Sequence, residues 1–417
     1  MSTTRKTPKL RFPEFTDDWE QRKFDDVFNY LAHNSLSRDD LNDNEGSIKN
    51  IHYGDVLIKF GNVIDTKHEY IPYVNDNVKL ENKACFLQDG DVVIADAAED
   101  STVGKCTEIS ESSDQKIVSG LHTIPCRPKN KFAKGFLGYY LNSNAYHDQL
   151  LPLMQGTKVS SISKTSLKET TIKFPSSIEE QKKVGACFHE LDNLITLHQR
   201  ELDSLKKLKK SLLQKMFPKN GEKIPELRFP EFTGDWEQRK LGDITDSFSG
   251  GTPKVGNEEY YGGEIPFIRS AEINSSTTEL YITKKGLDNS SAKMVSKGTI
   301  LYALYGATSG ECGISQIDGA INQAILAIKP KCGYVPYFIS TWLRRSKFSI
   351  VSTFLQGGQG NLSGEIVKNL SLMLPCQNEQ KKIGELFKKL DSTITLHQRE
   401  LDTLKKLKKG LLQNMFV

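Results

Sequence analysis

Two segments of this chain occur twice. PKLRFPEFTDDWEQRK at 8–23 reappears as PELRFPEFTGDWEQRK at 225–240, and ITLHQRELD at 195–203 reappears unchanged at 394–402. The first pair is offset by 217 positions and the second by 199, so the long segments between the repeats differ by 18 residues. Two nearly identical frames therefore hold two different inserts, a layout that predicts a pseudo-twofold scaffold presenting two variable modules.

The composition describes an ordinary soluble protein. The chain has 417 residues, of which 37% are hydrophobic and 26% charged, and this length is enough for about two to four domains. No stretch approaches the ~18 apolar residues of a membrane span, and the charged N-terminal segment lacks the apolar run of a signal peptide. Seven scattered cysteines without a CxxC pair favour reduced thiols over a zinc site or a disulfide framework. We predict a cytoplasmic protein without a membrane partner.

The charge of the chain is close to balanced, with a formal net charge of +4 at pH 7. The first insert, 24–178, contains 16 basic and 21 acidic residues, a net of −5. The second insert, 241–378, contains 12 basic and 11 acidic residues, a net of +1. Binding to nucleic acid would therefore depend on local basic patches, because the overall charge of the inserts does not supply it.

Each insert is followed by a segment with the pattern of a long amphipathic helix. In 179–217 apolar residues recur at spacings of three and four, and the copy at 379–417 repeats the pattern. We expect these two helices to pack on each other as an antiparallel coiled coil. The side chains expected in its core are Leu191, Ile195, His198, Leu202, Leu205, Leu390, Ile394, His397, Leu401 and Leu404. By symmetry, the end of the chain should lie near Pro8.

The histidines and lysines of these helices admit more than one interpretation. A histidine at the seam, such as His198 or His397, is more often a hydrogen-bonded specificity feature than a metal ligand. The LKKLKK runs at 205–210 and 404–409 fit either a solvated helix face or a docking surface. We assign no metal site to the chain.

The inserts have the pattern of mixed, strand-rich domains punctuated by glycine-rich turns. The predicted fold is therefore α+β, with two such domains joined by the two long helices. The expected boundaries are 1–178 for the first domain, 179–217 for the first helical region, 218–378 for the second domain and 379–417 for the second helical region.

Catalytic signatures are missing or incomplete. The segment 251–256 has the glycine spacing of a phosphate-binding loop, but Asn257 stands where that loop requires a lysine. The chain contains no HExxH, no GxSxG and no Pro-Pro pair, and the last absence excludes the Asn-Pro-Pro-aromatic motif of amino-methyltransferases. We predict a non-catalytic protein that binds no cofactor of its own.

The loops of the inserts are better suited to binding DNA. SGGTP at 249–253 and YYGG at 260–263 combine glycine turns, hydroxyl groups and aromatic rings, and such loops can approach a duplex closely. The candidate DNA-binding residues of the second insert are Thr252, Lys254, Arg269, Ser270, Tyr305, Thr308, Ser309, Gln359 and Asn361. Those of the first insert are Lys59, Asn62, Lys105, Lys158, Ser160 and Ser161.

The order and duplication of these motifs resemble the specificity subunit of type I restriction–modification systems. In the second half, the resemblance rests on DWEQRKLGDI at 235–244, SGGTP…YYGGEIPFI at 249–268 and LPCQNEQKKIGELFKKLD at 374–391. In the first half, DDWEQRKFDDVF at 17–28 and FPSSIEEQKKVGACFHELD at 174–192 carry it. The resemblance covers nearly the whole chain.

This resemblance implies two target-recognition domains, each reading one half of a split, asymmetric sequence in double-stranded DNA, with the helix pair fixing the distance between the halves. The expected partners are two modification subunits, which transfer a methyl group from S-adenosylmethionine to adenine, and two restriction subunits, which use ATP and Mg²⁺. These cofactors would belong to the partner subunits. The first insert departs from the family pattern, since it has NYLAHNSLS at 29–37 in place of the SGGTP loop.

Two other functions stay open. The chain could be a DNA-binding regulator that uses its two domains like a repressor dimer, without enzyme partners. It could also be a coiled-coil scaffold whose inserts bind protein, an alternative that the acidic first insert supports. Salt-dependent, sequence-selective DNA binding would argue against the scaffold, and a stable complex with an adenine methyltransferase would argue against the regulator.

Overall fold

The computed structural model describes residues 6–78, 80, 85–156, 158–219, 221–355 and 361–417. The chain divides into two compact units. The first unit consists of Met1–Gln199 together with Glu400–Val417, and the second consists of Arg200–Arg399. The first long helix, Ile178–Lys215, and the second long helix, Gln377–Asn414, have 38 residues each, and both contribute to both units. Among the described residues, no helix is long and apolar enough to cross a membrane.

The centre of the first unit is a five-stranded sheet. Its strands lie in the order Phe28–Tyr30, Thr123–Pro128, Val92–Ala95, Cys106–Ser110 and Val63–Asp65. All neighbours are antiparallel except the last pair, which is parallel. Val92–Ala95 is buried at every position, so its sequence is continuously apolar and does not alternate.

A second sheet in the first unit contains four short strands. Their order is Ile117–Ser119, Lys49–Ile51, Tyr73–Val74 and Leu41–Asn42, and the first two run parallel. Two-stranded pairs join Glu20–Lys23 to Thr171–Phe174 and Ser160–Ser161 to Ala97–Ala98. The short helices are Phe24–Val27, Tyr53–Ile58, Phe136–Leu141, Asn144–His147 and Lys164–Glu169, with 3₁₀ turns at Arg38–Asp40 and Leu151–Leu153.

The second unit has a closely similar set of sheets. One contains Thr245–Ser249, Ile325–Pro330, Ile300–Ala303 and Cys312–Ile314 in that order, all antiparallel. The other contains Tyr281–Ile282, Tyr261–Ile268, Gly319–Ile321 and Lys293–Val295, and Glu237–Lys240 pairs with Ser371–Leu374. Its other helices are Leu241–Ile244, Lys284–Asp288, Pro336–Leu355 and Gly364–Asn369, of which Pro336–Leu355 has 20 residues, with 3₁₀ turns at Glu258–Tyr260, Ser270–Glu272 and Gly306–Thr308.

The two units therefore share most of their strand arrangement, although in the described residues the edge strand Val63–Asp65 of the first unit has no counterpart in the four-stranded sheet of the second. In each, a mainly antiparallel sheet adjoins a smaller sheet that contains a parallel pair, Ile117–Ser119 with Lys49–Ile51 in the first unit and Gly319–Ile321 with the end of Tyr261–Ile268 in the second. The predicted α+β fold with two strand-rich domains is confirmed. The four residue boundaries predicted from the sequence stay a prediction.

The first copy of the repeated motif packs against the end of the chain. Leu10 N donates a hydrogen bond to Asn414 O at 2.9 Å. The rings of Trp19 and Phe416 meet edge to face with their centroids 6.4 Å apart, a favourable geometry for two aromatic side chains. The C-terminal residues thus lie beside the first motif, as the symmetry of the repeats predicts.

A bidentate ion pair fixes the motif to a long helix in each unit. Arg11 donates to the two carboxylate oxygens of Glu180 at 2.7 and 2.8 Å, and Arg228 donates to those of Glu379 at 2.8 and 2.7 Å. The exposed fractions of the two glutamate side chains are 1% and 0%. Because a buried bidentate pair tolerates little displacement, it sets the position of the motif on the first turns of each helix.

Segments of the two long helices run antiparallel within the first unit. Lys408 forms an ion pair with Asp192, and His198 Nδ1 lies 3.6 Å from Glu400 Oε2. Moving forward along one helix therefore means moving backward along the other. This pairing confirms the antiparallel direction that the sequence predicts.

The second unit repeats these contacts with the roles of the helices exchanged. Lys209 forms an ion pair with Asp391, and His397 Nδ1 lies 3.6 Å from Glu201 Oε2.

The side chains predicted for the coiled-coil core are at least half-buried throughout. Leu191, Leu202 and Leu401 are buried, and Ile195, His198, Leu205, Leu390, Ile394, His397 and Leu404 are half-buried.

Candidate nucleic-acid interface

Several loops of the second unit meet where its parallel strands end. The strands that end at Ile268 and Ile321 run parallel, and these two residues lie opposite each other. Arg269 and Asn322 follow them directly in the chain. Because the carboxyl ends of parallel strands lie at the same edge of a sheet, Arg269 and Asn322 emerge side by side.

Hydrogen bonds attach the SGGTP loop to this edge. Gly250 N donates to Asn322 O at 3.2 Å, and the Thr252 hydroxyl donates to Gln323 Oε1 at 2.8 Å. The loop sequence therefore has a structural partner in the segment that follows Ile321.

Two further loops join the same edge through the backbone. Leu304 N donates to Ala324 O at 2.8 Å, and Leu362 N donates to Leu304 O at 3.0 Å. We call this assembly the second loop cluster. It comprises 249–253, 269–270, 304–309, 322–324 and 361–362.

Close packing explains the glycine pair of the SGGTP loop. A Cβ atom on Gly250 would lie 1.9 Å from Ile321 O, and one on Gly251 would lie 2.5 Å from Ser291 Cβ. Only glycine permits this approach without a backbone shift. The glycines therefore bring Thr252 against Gln323, which is a different role from holding a phosphate.

The predicted DNA-binding residues of the second insert differ in exposure. Thr252, Lys254, Tyr305 and Asn361 are exposed; Arg269, Ser270 and Thr308 are half-buried; Ser309 is buried; Gln359 lies outside the described residues. The Ser309 hydroxyl donates to Gly306 O at 2.8 Å, so it serves its own turn. The structure thus brings most of these residues to one edge but leaves only some of their side chains accessible.

The charge of Arg269 is balanced by two carboxylates of the same unit. Its guanidinium donates to Glu272 at 2.8 Å and to Glu279 at 2.5 Å. The hydrogen bonds to these two carboxylates raise the pKa of Arg269 above its usual range. A cation that already pairs with two carboxylates is poorly placed to neutralise a phosphate, so its contribution here is to hold the loop.

The first unit has an equivalent edge. Ile51 and Ser119 lie opposite each other in parallel strands, and His52 and Gly120 follow them. Gly120 N donates to Ile51 O at 2.8 Å, which keeps the two segments in contact beyond the ends of the strands.

The backbone bonds around this edge repeat those of the second unit. Asp96 N donates to His122 O at 3.0 Å, and Ile162 N donates to Asp96 O at 2.9 Å. We call this assembly the first loop cluster. It comprises 52–53, 96–102, 120–122 and 160–162.

The first loop cluster contains aromatic and imidazole side chains beside the acidic and hydroxyl groups of 96–102. His122 has a φ of 54°, in the left-handed region that is unfavourable for most residues other than glycine. Its Nδ1 lies 3.2 Å from Asp96 Oδ1, and its ring meets that of Tyr53 edge to face at 5.3 Å between centroids. Burial and the nearby Arg38 lower the pKa of His52. His52 precedes the helix Tyr53–Ile58, and its Nδ1 accepts a hydrogen bond from Gly54 N in the first turn of that helix.

Three of the predicted first-insert residues lie in or beside this cluster. Ser160 and Ser161 pair with Ala98 and Ala97, and Lys158 is exposed two residues before Ser160. The two hydroxyls are therefore placed at the same edge as His122 and Tyr53.

The other three make contacts elsewhere in the unit. Lys59 forms an ion pair with the buried Asp55. Lys105 donates to a backbone carbonyl at 2.8 Å, and burial lowers its pKa. Asn62 O accepts from Glu108 N at 2.9 Å, away from the cluster. The structure gives these residues internal partners and does not bring them together.

A family model for the type I restriction modification DNA specificity domain matches this chain twice, over residues 16–207 and 233–406. The chain belongs to this family. Each match covers one set of sheets, one loop cluster and part of the following long helix. The predicted resemblance to type I specificity subunits is thereby confirmed, and so is the function of recognising DNA sequence within a restriction–modification system.

Full-length similarity supports the same family. A putative type I restriction enzyme MjaX specificity subunit from Methanocaldococcus jannaschii is 25% identical, and the match covers 97% of this chain and 94% of the relative. The MjaVIII specificity subunit of the same organism is 21% identical, with 97% and 92% coverage. The crystal structure of a type I restriction–modification S subunit from M. genitalium superposes with a TM-score of 0.67 at 16% identity, covering 99% of each chain. Specificity subunits of this kind are non-catalytic.

Several residues of this specificity subunit escaped prediction from the sequence. They are His52, Tyr53, His122, Asn322 and Gln323, and each follows or adjoins a buried parallel strand. The only signal was a short polar or aromatic segment after an apolar run, as in INQA at 321–324. The pairing that gathers these segments joins residues far apart in the chain, so no local motif reveals it.

Proposed function

We propose that each specificity domain reads one half of a bipartite, asymmetric DNA target through its loop cluster. One observation carries this proposal. The two units present the same backbone edge, but the first places His52, Tyr53 and His122 there whereas the second places Asn322 and Gln323. A shared frame with different side chains is what recognition of two different half-sites requires.

In this proposal, the two long helices set the number of base pairs between the half-sites. Each helix spans about 57 Å at 1.5 Å per residue. The Asp192–Lys408 and Asp391–Lys209 ion pairs fix the register of the helices within their units. A stiff helix pair defines a separation better than a flexible linker does.

The proposed partners are two modification subunits and two restriction subunits. The modification subunits would supply S-adenosylmethionine and transfer its methyl group to adenine, and the restriction subunits would use ATP and Mg²⁺. This chain would bring them to cytoplasmic DNA without contributing a catalytic group. We also propose the four domain boundaries predicted from the repeats.

The test is a comparison of DNA methylation in cells that carry this chain with its modification subunit and in cells that lack the chain. We expect a new adenine mark on a two-part motif with an unspecified gap. Absence of any new mark, with both proteins present and associated, would contradict the proposal and favour the regulator or the scaffold.

A pair of deletions tests the role of the helices. Removing 197–203 and 396–402 takes the same seven residues from each copy, which keeps the apolar faces in phase and shortens each helix by about 10 Å. We expect a gap shorter by roughly 3 base pairs, at 3.4 Å each, with both half-sites unchanged. A motif that keeps its original gap would show that the helices do not set the spacing.

A further inference from the structure

We propose that Gln323, held by Thr252, is a base-reading residue of the second domain and that it contacts an adenine in the major groove. This inference rests on the proposed function, since it names the contact through which the second half-site is recognised. Gln323 was not among the residues that the sequence singled out.

The backbone is anchored on both sides of Gln323, although its side chain is exposed. Ile321 before it is buried in the strand ladder, and Ile325 after it is buried in the next sheet. Between them, Asn322 Oδ1 accepts a hydrogen bond from Ala324 N at 3.1 Å. A short segment anchored at both ends loses little conformational freedom when it meets a ligand.

The side chain of Gln323 is held in place by a single hydrogen bond, in which Oε1 accepts from the Thr252 hydroxyl at 2.8 Å. In the part of the chain that the structure describes, its Nε2 makes no hydrogen bond. A carbonyl oxygen has a second lone pair and an amide nitrogen has two donors. The amide can therefore accept from adenine N6 and donate to adenine N7, the bidentate pairing that glutamine forms in the major groove.

Three other polar side chains of the second loop cluster, those of Arg269, Ser309 and Thr252, are less suited to this task. Arg269 is balanced by two carboxylates, and the hydroxyl of Ser309 is buried in its own turn. Thr252 is already oriented towards Gln323 by the close packing of Gly250 and Gly251. Gln323 is thus an exposed, oriented amide in a preorganised loop.

The first domain offers a comparison at the same edge. Its segment 120–122 makes the equivalent backbone bond, from Asp96 N to His122 O, but contains no amide side chain. The two half-sites should consequently differ at the base pair that this segment reads. Substitution of Gln323 should therefore alter the recognised sequence of one half-site only.

The experiment compares methylated motifs in cells carrying the modification subunit and either the original chain, Gln323→Ala, Gln323→Glu, Thr252→Val or Gln238→Ala. Gln238 is the matched control, because it is an exposed glutamine of the same unit in the strand Glu237–Lys240. For Gln323→Ala we expect one position of one half-site to lose its preference for adenine by about tenfold to a hundredfold.

The remaining variants sharpen the expectation. Gln323→Glu should shift the preference at that position towards cytosine, whose N4 group donates to a carboxylate. Thr252→Val should weaken the preference less than Gln323→Ala does, because the amide remains. Gln238→Ala should leave the motif unchanged.

The outcomes separate this inference from the function on which it rests. If the original chain directs no bipartite mark, the proposed function fails. If it directs one but Gln323→Ala and Gln323→Glu leave both half-sites unchanged, the inference about Gln323 is overturned. Methylation that continues at the unaltered half-site shows that a variant is folded and assembled. A complete loss of methylation by a Gln323 variant whose unfolding temperature is unchanged would also overturn the assignment to a single base.

Discussion

Glu108 of the first unit and Ile314 of the second occupy equivalent positions opposite one neighbouring strand, although Glu108 lies in an inner strand and Ile314 in an edge strand. Glu108 lies opposite Val92, and Ile314 lies opposite the corresponding Ile300. The carboxylate of Glu108 is 2% exposed and accepts hydrogen bonds from Gly135 N at 2.6 Å and Gly138 N at 2.9 Å. One domain thus attaches its neighbouring helix through a buried carboxylate, whereas the other has an apolar side chain at that position.

This difference shows which parts of the frame are fixed and which can change. Most of the strand pairing, and the bidentate Arg11–Glu180 and Arg228–Glu379 pairs, are kept in both units. The interior contact at Glu108 is not kept. Variation between the domains therefore extends from the loops into the core, while the attachment of each domain to a long helix is preserved.

Removing the ion pair that both units share, Arg11–Glu180 or Arg228–Glu379, should reduce stability the most. Glu180→Ala or Glu379→Ala would leave a guanidinium largely buried without its carboxylate, and loss of one partner of such a pair typically costs about 3–5 kcal/mol. We expect each variant to destabilise its own unit, with the larger cost for Glu180, which also accepts from Trp19 Nε1 at 3.2 Å. Hydrogen exchange followed on peptides of each unit would measure this.

The matched control for that prediction is a pair that lies on the surface. Glu237 contacts Arg239, and both side chains are more than half exposed, so Glu237→Ala should change stability very little. Costs below 1 kcal/mol for both Glu180→Ala and Glu379→Ala would show that the shared pair does not hold the frame.

The carboxylate of Glu108, which the second unit lacks, should have a smaller and pH-dependent effect on stability. Burial raises the pKa of Glu108 from its ordinary 4.5 to about 7, against the opposing effect of the bonds from Gly135 and Gly138. The folded protein therefore binds more protons than the unfolded chain between these values, and the unfolding free energy of the first unit should fall as pH rises from 4.5 to 7. At 1.36 kcal/mol per unit, the loss is on the order of 3 kcal/mol.

Glu108→Gln removes this titration and should flatten the pH dependence of the first unit over that range. The amide keeps one acceptor oxygen for the two glycine N–H groups. A variant whose unfolding free energy depends on pH as strongly as that of the original chain would show that Glu108 is ionised in the folded state.

Gly250→Ala tests the loop clusters and should have the smallest effect on stability. The added Cβ would lie 1.9 Å from Ile321 O, and the resulting backbone shift should cost about 1–3 kcal/mol. We expect weaker discrimination in the second half-site and an unchanged first half-site. The control is Gly234→Ala, where no atom lies within 4 Å of the new Cβ; equal behaviour of the two variants would contradict the packing argument.

The sequence predicted the parts of the fold that the repeats carry. The heptad-like spacing predicted the long helices, and the identity of the two copies predicted that they would pair in opposite directions. Those inferences succeed because helix periodicity is local and because a duplicated segment has an obvious partner. The expected proximity of the chain end to Pro8 has the same origin.

The candidate site was harder to predict because its geometry depends on distant pairing. Gln323 and Thr252 meet because Thr245–Ser249 pairs antiparallel with Ile325–Pro330 in a register whose continuation places 252 opposite 323, and nothing in INQA indicates that register. Arg269 looked suited to phosphate from its residue type, but Glu272, three residues away, and Glu279, ten residues away, balance its charge. Residue type alone could not show which cations were already balanced.

The first unit is built from two segments that are far apart in the chain, and this has a consequence for its synthesis. The second unit is continuous from 200 to 399, but the first needs 400–417, including Phe416, to close its core. A ribosome therefore releases everything that the second unit requires before it releases the last piece of the first. The domain encoded first is completed last, and a chain truncated before 400 exposes the apolar surface that Phe416 would cover.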